Sequence, residues 1–393
     1  MATAHSLTDP SIEILDRLVA FDTVSSHPNV ELIEWASNHL DTLGFRCRIQ
    51  RTASADHANL LASIGPDEAG GLVLAGHSDV VPVDGQAWST DPFKLVRHGQ
   101  RLQARGSADM KGFIACVLAS APVFARPGLR KPVHVVLSYN EETNMQGIQD
   151  LTGIIKDPGI APAACIIGEP TLMQVVVANK GAAIFDCHVR GFPVHSSLRD
   201  KGISAVEIAA EIISWLNARQ KRLLDEGRHD GFAFPHTSIH AGMIHGGTAH
   251  NITAQDCRFK FEIRALPGFD AGRIVDELQR YCRAELLPAM QAVNPDCNIR
   301  IDQVVNSPGL DETTNRHLAQ AIMPLCNCLT PGRVSFGTEA GFMTQAGVPT
   351  VVCGPGDIGV AHMPDEYVEV GQLGLCLSFL DTLDNRLRQS PLL

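Results

Sequence analysis

The stretch GLVLAGHSDV, residues 71–80, decides the fold of the first half of the chain. Its apolar run over residues 71–75 predicts a strand buried on both faces, and this strand leads directly into Gly76 and His77. Similar apolar runs predict further strands at residues 59–64, 133–138 and 164–167. Helices are predicted between and before them, at residues 12–21, 30–43 and 111–125. This alternation predicts an α/β domain whose sheet is covered by helices.

The pattern changes near Lys180 and returns to the first style after Pro308. Strands are predicted at residues 183–189, 237–244, 256–264 and 298–305, with helices at residues 203–219 and 270–286, the second capped by Asp270. The order strand, helix, strand, strand, helix, strand is typical of ferredoxin-like modules. We therefore predict a discontinuous domain of residues 1–180 and 307–393, interrupted by an inserted α+β domain of residues 181–306.

Composition excludes several classes of partner. The 393 residues include 43 acidic and 32 basic ones, a net charge of −11, which argues against binding to nucleic acid or anionic membranes. No apolar run approaches the about 20 residues of a membrane span, and the polar residues 1–10 lack the apolar region of a secretory signal. The 11 cysteines lie mostly in apolar runs, which predicts buried reduced thiols and a cytoplasmic location.

Side chains of the metal-binding type follow the predicted strands and turns. They are His77, Asp109, Glu142, Glu169 and His362. Mixed histidine and carboxylate ligands without cysteine suit a catalytic Zn²⁺ site, where Co²⁺ or Mn²⁺ can substitute. Asp109 has two oxygens and can bridge two ions roughly 3.5–4 Å apart. Each residue alone is explained as a solvated side chain or a turn, but five at successive strand ends are not.

Two more residues complete a hydrolytic site. Glu141 points away from its neighbour Glu142 and can carry a proton from water to a leaving amine. Asp79 lies two residues after His77, on the same face of a strand end, and can accept the other ring proton of His77. The pattern therefore predicts metal-assisted hydrolysis.

Four of these segments together form a recognisable pattern. They are GHSD (76–79), RGSADMKG (105–112), NEE (140–142) and GEP (168–170). Over essentially its whole length the chain resembles the co-catalytic di-zinc amidohydrolases and peptidases. The resemblance implies a mixed-sheet α/β catalytic domain with an inserted ferredoxin-like dimerisation or lid domain, a homodimer, and two Zn²⁺ per subunit.

The resemblance also implies roles for individual residues. It implies that His77, Asp109 and Glu169 hold one ion. It implies that Asp109, Glu142 and His362 hold the other. In the same way it implies that Glu141 is the general acid and base and that Asp79 orients His77.

Within the family, three segments are most similar to acetylornithine deacetylases: FGTEAG (336–341), CGPG (353–356) and AHMPDEY (361–367). This implies hydrolysis of an N-acyl amino acid, N2-acetyl-L-ornithine to L-ornithine and acetate in arginine biosynthesis. Glu339 would then face the cationic ornithine side chain; the alternative is a solvated loop residue. Other readings are succinyl-diaminopimelate, another N-acyl amino acid or a dipeptide as substrate. A non-catalytic metal-binding scaffold is a further alternative, but it would not need Glu141.

The inserted domain carries further family segments. GFPVHSS (191–197) implies that His195 steadies the oxyanion in the partner subunit's active site, the alternative being a helix cap. Asn251 and Arg264 match positions implied to hold the substrate carboxylate. The chain departs from the family where Lys180-Gly181 follows Asn179 instead of a histidine, where Ile252-Thr253-Ala254 lacks the usual Ile-Pro, and at Glu262. These departures concern the inserted domain and not the metal ligands.

Overall fold

The structure, a computed structural model, describes residues 5–390. Residues 1–4 of the polar N-terminus and residues 391–393 lie outside this range. The α-helices are α1 (His5–Val19), α2 (Val30–Asp41), α3 (Lys111–Phe124), α4 (Gln146–Ile155), α5 (Ala205–Leu223), α6 (Gly272–Tyr281), α7 (Leu287–Val293), α8 (Glu312–Ile322), α9 (Ala340–Gln345) and α10 (Val370–Gln389). Within residues 5–390, no helix combines the length and apolarity that a membrane span requires.

The strands are β1 (Arg46–Arg51), β2 (Ala58–Ile64), β3 (Leu72–His77), β4 (Val96–His98), β5 (Arg101–Gln103), β6 (Val133–Ser138), β7 (Ala164–Ile167), β8 (Val176–Asn179), β9 (Gly181–Arg190), β10 (Ser238–Gly246), β11 (Asp256–Ala265), β12 (Asn298–Ser307), β13 (Gly332–Val334), β14 (Thr350–Val352) and β15 (Tyr367–Glu369). Short 3₁₀ turns lie at Ser196–Lys201 and Met323–Cys326, and a π-helical turn lies at Cys282–Leu286.

The chain divides into two compact units. The first comprises Met1–Ala178, Leu310–Arg333 and Thr338–Leu393. Its main sheet has eight strands in the order β1-β2-β6-β3-β7-β14-β8-β13, and β15-β5-β4 form a smaller sheet. The main sheet is mixed, because β3 runs parallel to both β6 and β7 while β1 and β2 are antiparallel.

The strands at the centre of this sheet position the candidate site. Every residue of β3, β6 and β7 is buried, as their continuous apolar sequences predict. Because the three strands are parallel, their carboxyl ends lie at one edge of the sheet, where α/β proteins collect ligands. Helix α3 is apolar around most of its circumference and packs against α1 and α10, so the turn that precedes it is anchored in the core.

The second unit comprises Asn179–Gly309 and Val334–Gly337. Its four-stranded antiparallel sheet has the order β10-β11-β9-β12, which is the ferredoxin-like arrangement that the strand and helix order predicts. A separate apolar core fills it, with Phe185 and Phe261 stacked at 5.0 Å between ring centroids. The mixed α/β sheet and the ferredoxin-like order confirm the predicted fold class.

Two details of the second unit differ from the sequence prediction. The helix predicted from Asp270 starts at Gly272, and Oδ1 of Asp270 accepts a hydrogen bond from the Gly272 N–H in the turn before it. This helix also continues past residue 286 to Val293, through the π-helical turn. The assignment of the two predicted domains to catalysis and dimerisation remains a prediction.

All eleven cysteines are free thiols, and nine of them are buried. This agrees with the expectation that they pack as small apolar side chains.

Candidate metal centre

His77 ends β3, at the edge of the sheet where β6 and β7 also end. Its ring is buried, with 1% of its surface exposed. Nδ1 lies 3.0 Å from the backbone carbonyl oxygen of Asp79, and Nε2 lies 3.1 Å from Oδ1 of Asp109. The imidazole is therefore held by its own turn on one side and faces a carboxylate on the other.

Asp109 lies in the turn before α3, between two histidines. While Oδ1 faces His77, Oδ2 lies 3.3 Å from Nε2 of His362. Burial alone would raise the pKa of Asp109, but the two histidines hold it well below its usual range. Each oxygen thus belongs to a different cluster, as a shared carboxylate requires.

Three glutamates follow the neighbouring strands: Glu141 and Glu142 after β6, and Glu169 after β7. Oε1 of Glu142 lies 3.0 Å from Nε2 of His362. Burial raises the pKa of Glu141 and of Glu169 well above the usual value, and nearby carboxylates add to both shifts. Hydrogen bonds with Asp109 and Glu142 raise the pKa of His362 to about 10.

These side chains form overlapping groups of three potential ligands. In each group one ligand atom per residue lies within 4.8 Å of the others. The groups are His77 with Asp109 and Glu169, Asp109 with Glu142 and His362, and His77 with Glu141 and Glu142. The structure thus brings together both predicted ligand sets, which share Asp109, with Glu141 beside them.

The charge of this cluster fits metal ions. Asp109 and the three glutamates share a largely buried space, and Oε1 of Glu169 has no hydrogen-bond partner among the described residues. Buried carboxylates without a counter-charge are unfavourable, and divalent cations would supply that charge. Histidine and carboxylate donors without cysteine suit Zn²⁺, Co²⁺ or Mn²⁺. The residues therefore fit two divalent cations.

Asp79 has a different environment from the predicted one. Its carboxylate lies 3.7 Å from Nδ1 of His77, whereas its backbone carbonyl lies at 3.0 Å. The carboxylate instead accepts hydrogen bonds from the backbone N–H groups of Glu141 at 3.1 Å and Glu142 at 3.3 Å. Asp79 therefore holds the turn of the two glutamates as well as its own histidine.

Ser25 was missed in the sequence. Its hydroxyl donates to Oδ2 of Asp79 at 2.6 Å. The two residues are 54 positions apart, and Ser25 lies in a polar turn without a pattern, so no sequence signal pointed to it. Arg105 and Glu366 stand in the quoted segments RGSADMKG and AHMPDEY, but no role was predicted for them, because the other charged and polar residues of these segments make them resemble ordinary solvated side chains.

Glu339 is buried and not solvated. Only 1% of it is exposed, and neither carboxylate oxygen has a hydrogen-bond partner among the described residues. Burial raises the pKa of Glu339 to about 7; the nearby Ser138 hydroxyl opposes this shift without reaching hydrogen-bond geometry. The solvated-loop reading of Glu339 is therefore wrong, while its contact with a substrate remains a prediction.

The three remaining predicted residues lie in the second unit. His195 is exposed and precedes the 3₁₀ turn Ser196–Lys201, where its Nδ1 accepts a hydrogen bond from the Ser197 N–H. Asn251 is exposed, and its carbonyl accepts from the Ser196 N–H at 2.9 Å. Arg264 on β11 is half-buried and pairs with Glu262 at 2.9 Å. The cap engages only Nδ1 of His195, so it does not exclude a role for Nε2.

Two histidine and carboxylate clusters that share an aspartate, beside a buried spare glutamate, define the site of a metal-dependent hydrolase. Residues 73–383 match the family described as "Peptidase family M20/M25/M40", and the chain belongs to this family. It is a metal-dependent amidohydrolase, as the sequence predicts.

Relatives and structures agree with this assignment. The chain is 39% identical over 373 residues to an acetylornithine deacetylase of Myxococcus xanthus, which covers 93% of this chain and 94% of the relative. It is 33% identical over 365 residues to the acetylornithine deacetylase of Buchnera aphidicola subsp. Acyrthosiphon pisum (strain Tuc7), covering 91% and 93%. An M20 family metallo-carboxypeptidase from Sulfolobus solfataricus matches with a TM-score of 0.74 at 16% identity over 97% of this chain and 99% of that one, which shows a shared fold.

Proposed function

We propose that this protein hydrolyses N2-acetyl-L-ornithine to L-ornithine and acetate, a step of arginine biosynthesis. One observation carries the proposal: two ligand clusters share Asp109, and the buried carboxylate of Glu141 lies beside them. Two relatives that are 39% and 33% identical to this chain are acetylornithine deacetylases, and the similarity covers nearly their whole length. They support acetylornithine as the substrate.

His77, Asp109 and Glu169 would hold one Zn²⁺, and Asp109, Glu142 and His362 the other, with Co²⁺ or Mn²⁺ able to substitute. When bound, such ions polarise an amide carbonyl and make water a stronger nucleophile at neutral pH.

The protein's own residues handle the proton. The raised pKa of Glu141 suits a carboxylate that takes a proton from the attacking water and returns it to the leaving nitrogen. The Asp79 carboxylate accepts a hydrogen bond from the backbone N–H of Glu141 and so helps to hold the Glu141 side chain in place. His195 would stabilise the developing oxyanion through Nε2, in the partner subunit's site.

Substrate recognition is assigned to Glu339, Asn251 and Arg264. A buried carboxylate without a partner, such as Glu339, favours a cationic group, and the ornithine side chain supplies an ammonium. Arg264 offers a guanidinium, which binds carboxylates in a two-pronged geometry, and Asn251 offers an amide.

A homodimer is proposed through the second unit. Strand β10 lies at an edge of its sheet, and its side chains Met243 and Ile244 are 54% and 48% exposed. Exposed apolar edge strands favour pairing with another chain, and a second copy is the partner we propose. The free thiols support a reducing cytoplasm.

The test is the hydrolysis rate of zinc- or cobalt-loaded protein, with a chelated control. The panel holds acetylornithine, succinyl-diaminopimelate, acetyl-methionine and a dipeptide. We expect fast, chelator-sensitive turnover of acetylornithine. Turnover of another member instead would keep the metal chemistry and refute the role of Glu339. Metal binding without any turnover would favour the non-catalytic scaffold.

A further inference from the structure

Arg105 and Glu366 form a buried ion pair beside the candidate metal centre. Nη1 of Arg105 lies 2.7 Å from Oε2 of Glu366, and each side chain is only 1% exposed. Neither residue is a ligand or a proton carrier in the mechanism proposed above. Their contacts nevertheless lead to two of the candidate ligands.

Glu366 holds the turn that carries Asp109. Its Oε1 accepts hydrogen bonds from the backbone N–H of Ala108 at 2.8 Å and of Asp109 at 3.1 Å. Its own backbone carbonyl accepts from the N–H of Ala104 at 3.0 Å. Because the N–H of Asp109 is held in this way, the direction in which its side chain leaves the backbone is held too.

Arg105 reaches the loop that carries His362. Its Nη2 donates to Oε1 of Gln86 at 2.5 Å, and Nε2 of Gln86 donates to the backbone carbonyl of His362 at 2.9 Å. The Trp88 ring lies over the guanidinium, 5.0 Å from its carbon to the ring centroid. The guanidinium therefore connects the Asp109 turn, through Glu366, with the His362 loop, through Gln86.

Stability alone does not explain a pair of this kind. Removing two charges from water offsets most of their attraction, so apolar residues of similar volume would stabilise the core at least as well. What an ion pair with several hydrogen bonds adds is a fixed geometry. Here the geometry that it fixes belongs to two loops, each of which supplies a candidate ligand.

We infer that Arg105 and Glu366 are positioning residues that set Asp109 and His362 relative to each other. They thereby determine the affinity for the cation that Asp109, Glu142 and His362 would share. The other cation, which His77, Asp109 and Glu169 would hold, depends on the Asp109 turn but not on the His362 loop. Its affinity should therefore change less when Arg105 or Glu366 is altered. This inference rests on the metal-dependent function proposed above.

The test is calorimetric titration of the metal-free protein with zinc chloride, with the visible spectrum of the cobalt-loaded protein as a second readout. We expect two binding events in the unchanged protein. Glu366→Gln removes the charge that faces Arg105 and should weaken one event by about tenfold or more, with a changed cobalt spectrum. Gln86→Ala removes the link from Arg105 to His362, together with the hydrogen bond from Trp88 Nε1 to Gln86, but leaves the pair of Arg105 and Glu366 in place. It should weaken the same event by about threefold.

Asp384→Asn is the matched control. Asp384 is fully buried and pairs with Arg388 at 2.8 Å and Arg126 at 2.7 Å, and no candidate ligand is among its hydrogen-bond partners in residues 5–390. Like Glu366→Gln, this variant should lower the thermal midpoint of the metal-free protein, because it also disrupts a buried ion pair. It should leave both zinc affinities unchanged.

The outcomes separate the two proposals. Two unchanged zinc affinities in Glu366→Gln and Gln86→Ala, or an equal loss of affinity in Asp384→Asn, would overturn the positioning role while the proposed function stands. An unchanged protein that binds no zinc would overturn both. Gln86 is only half-buried, so its variant tests the inference even where Glu366→Gln does not fold.

Discussion

The central strands of the first unit and strand β11 of the second unit distribute their charged residues in opposite ways. In the first unit β3, β6 and β7 are buried along their whole length, and the charged residues come directly after them, at one edge. In the second unit β11 alternates buried and exposed positions, so Arg258 and Lys260 point to solvent in the middle of the strand. Continuously apolar parallel strands concentrate ligands at their ends, whereas alternating antiparallel strands spread charge over a surface.

The largest expected effect tests this contrast directly. Asp109→Ala removes the residue common to both ligand clusters, so kcat should fall by about a thousandfold or more, since metal ions contribute several kcal/mol to such reactions. Metal content, measured by atomic emission, should fall with it. Asp256→Ala in the second unit, where Asp256 is exposed and pairs with His188, is the control and should keep both kcat and metal. Equal losses of kcat and metal in Asp109→Ala and Asp256→Ala would contradict the view that the ligands are concentrated at the strand ends of the first unit.

The next effect separates neighbours within the site. Glu141→Gln should lower kcat by about 10²–10⁴-fold because the proton carrier is lost, while bound metal stays. Glu142→Gln should lower metal content, since Oε1 of Glu142 faces His362. Metal analysis alongside single-turnover rates distinguishes the two. Loss of metal in Glu141→Gln would make Glu141 a ligand, as its cluster with His77 and Glu142 permits.

Much of this site could be predicted because it depends on strand ends. His77, Glu142 and Glu169 each follow a run of apolar residues, and parallel strands bring their ends together whatever the rest of the chain does. The hydrogen-bond partners of the Asp79 carboxylate could not be predicted, because Ser25 and Glu141 are distant from Asp79 in sequence.

The fold shows the same division. Strand β1 was missed because its sequence RCRIQR is half charged, and only its pairing with β2 makes it a strand. The π-helical turn at Cys282–Leu286 has the composition of an ordinary helix, so residue types give no signal of it. Local patterns predicted the central buried strands β3, β6 and β7. They missed β8, which is also buried along its whole length but has only four residues.

A smaller effect concerns the unpaired carboxylate of Glu339. Its pKa is raised from 4.5 to about 7 in the folded protein, so the folded state binds this proton more tightly than the unfolded chain. The stability that the proton provides is complete below pH 4.5 and is lost as pH rises through about 7. Metal-free Glu339→Gln lacks this loss and should be more stable than the unchanged protein at pH 8, by about 3 kcal/mol. Thermal midpoints of both proteins at pH 5 and pH 8 measure it; parallel shifts would contradict a buried ionisable Glu339.

Backbone packing behind the ligands gives a still smaller effect. A Cβ atom on Gly168 would lie 2.0 Å from the buried Phe113 ring, so Gly168→Ala must displace the ring or the segment that leads to Glu169. We expect a loss of about 2 kcal/mol in the free energy of unfolding, as overpacking typically causes, together with weaker zinc binding. Gly153→Ala is the control, because nothing lies within 4 Å of its Cβ position in α4, and it should gain about 1 kcal/mol. Similar results for both glycines would mean that the sheet edge behind Glu169 is not closely packed.

The smallest effect is expected on the surface of the second unit. On β12, Nε of Arg300 lies 2.7 Å from Oδ2 of Asp302, and the two side chains are 61% and 47% exposed. Water and salt screen such a pair, so Arg300→Gln should change the free energy of unfolding by less than about 1 kcal/mol, and less again at high salt. Denaturant titration at two salt concentrations measures it, with no change expected in metal binding or kcat. A loss as large as that of Gly168→Ala would show that exposed ion pairs also stabilise the second unit. The two units would then differ only in that the first one carries the candidate metal ligands.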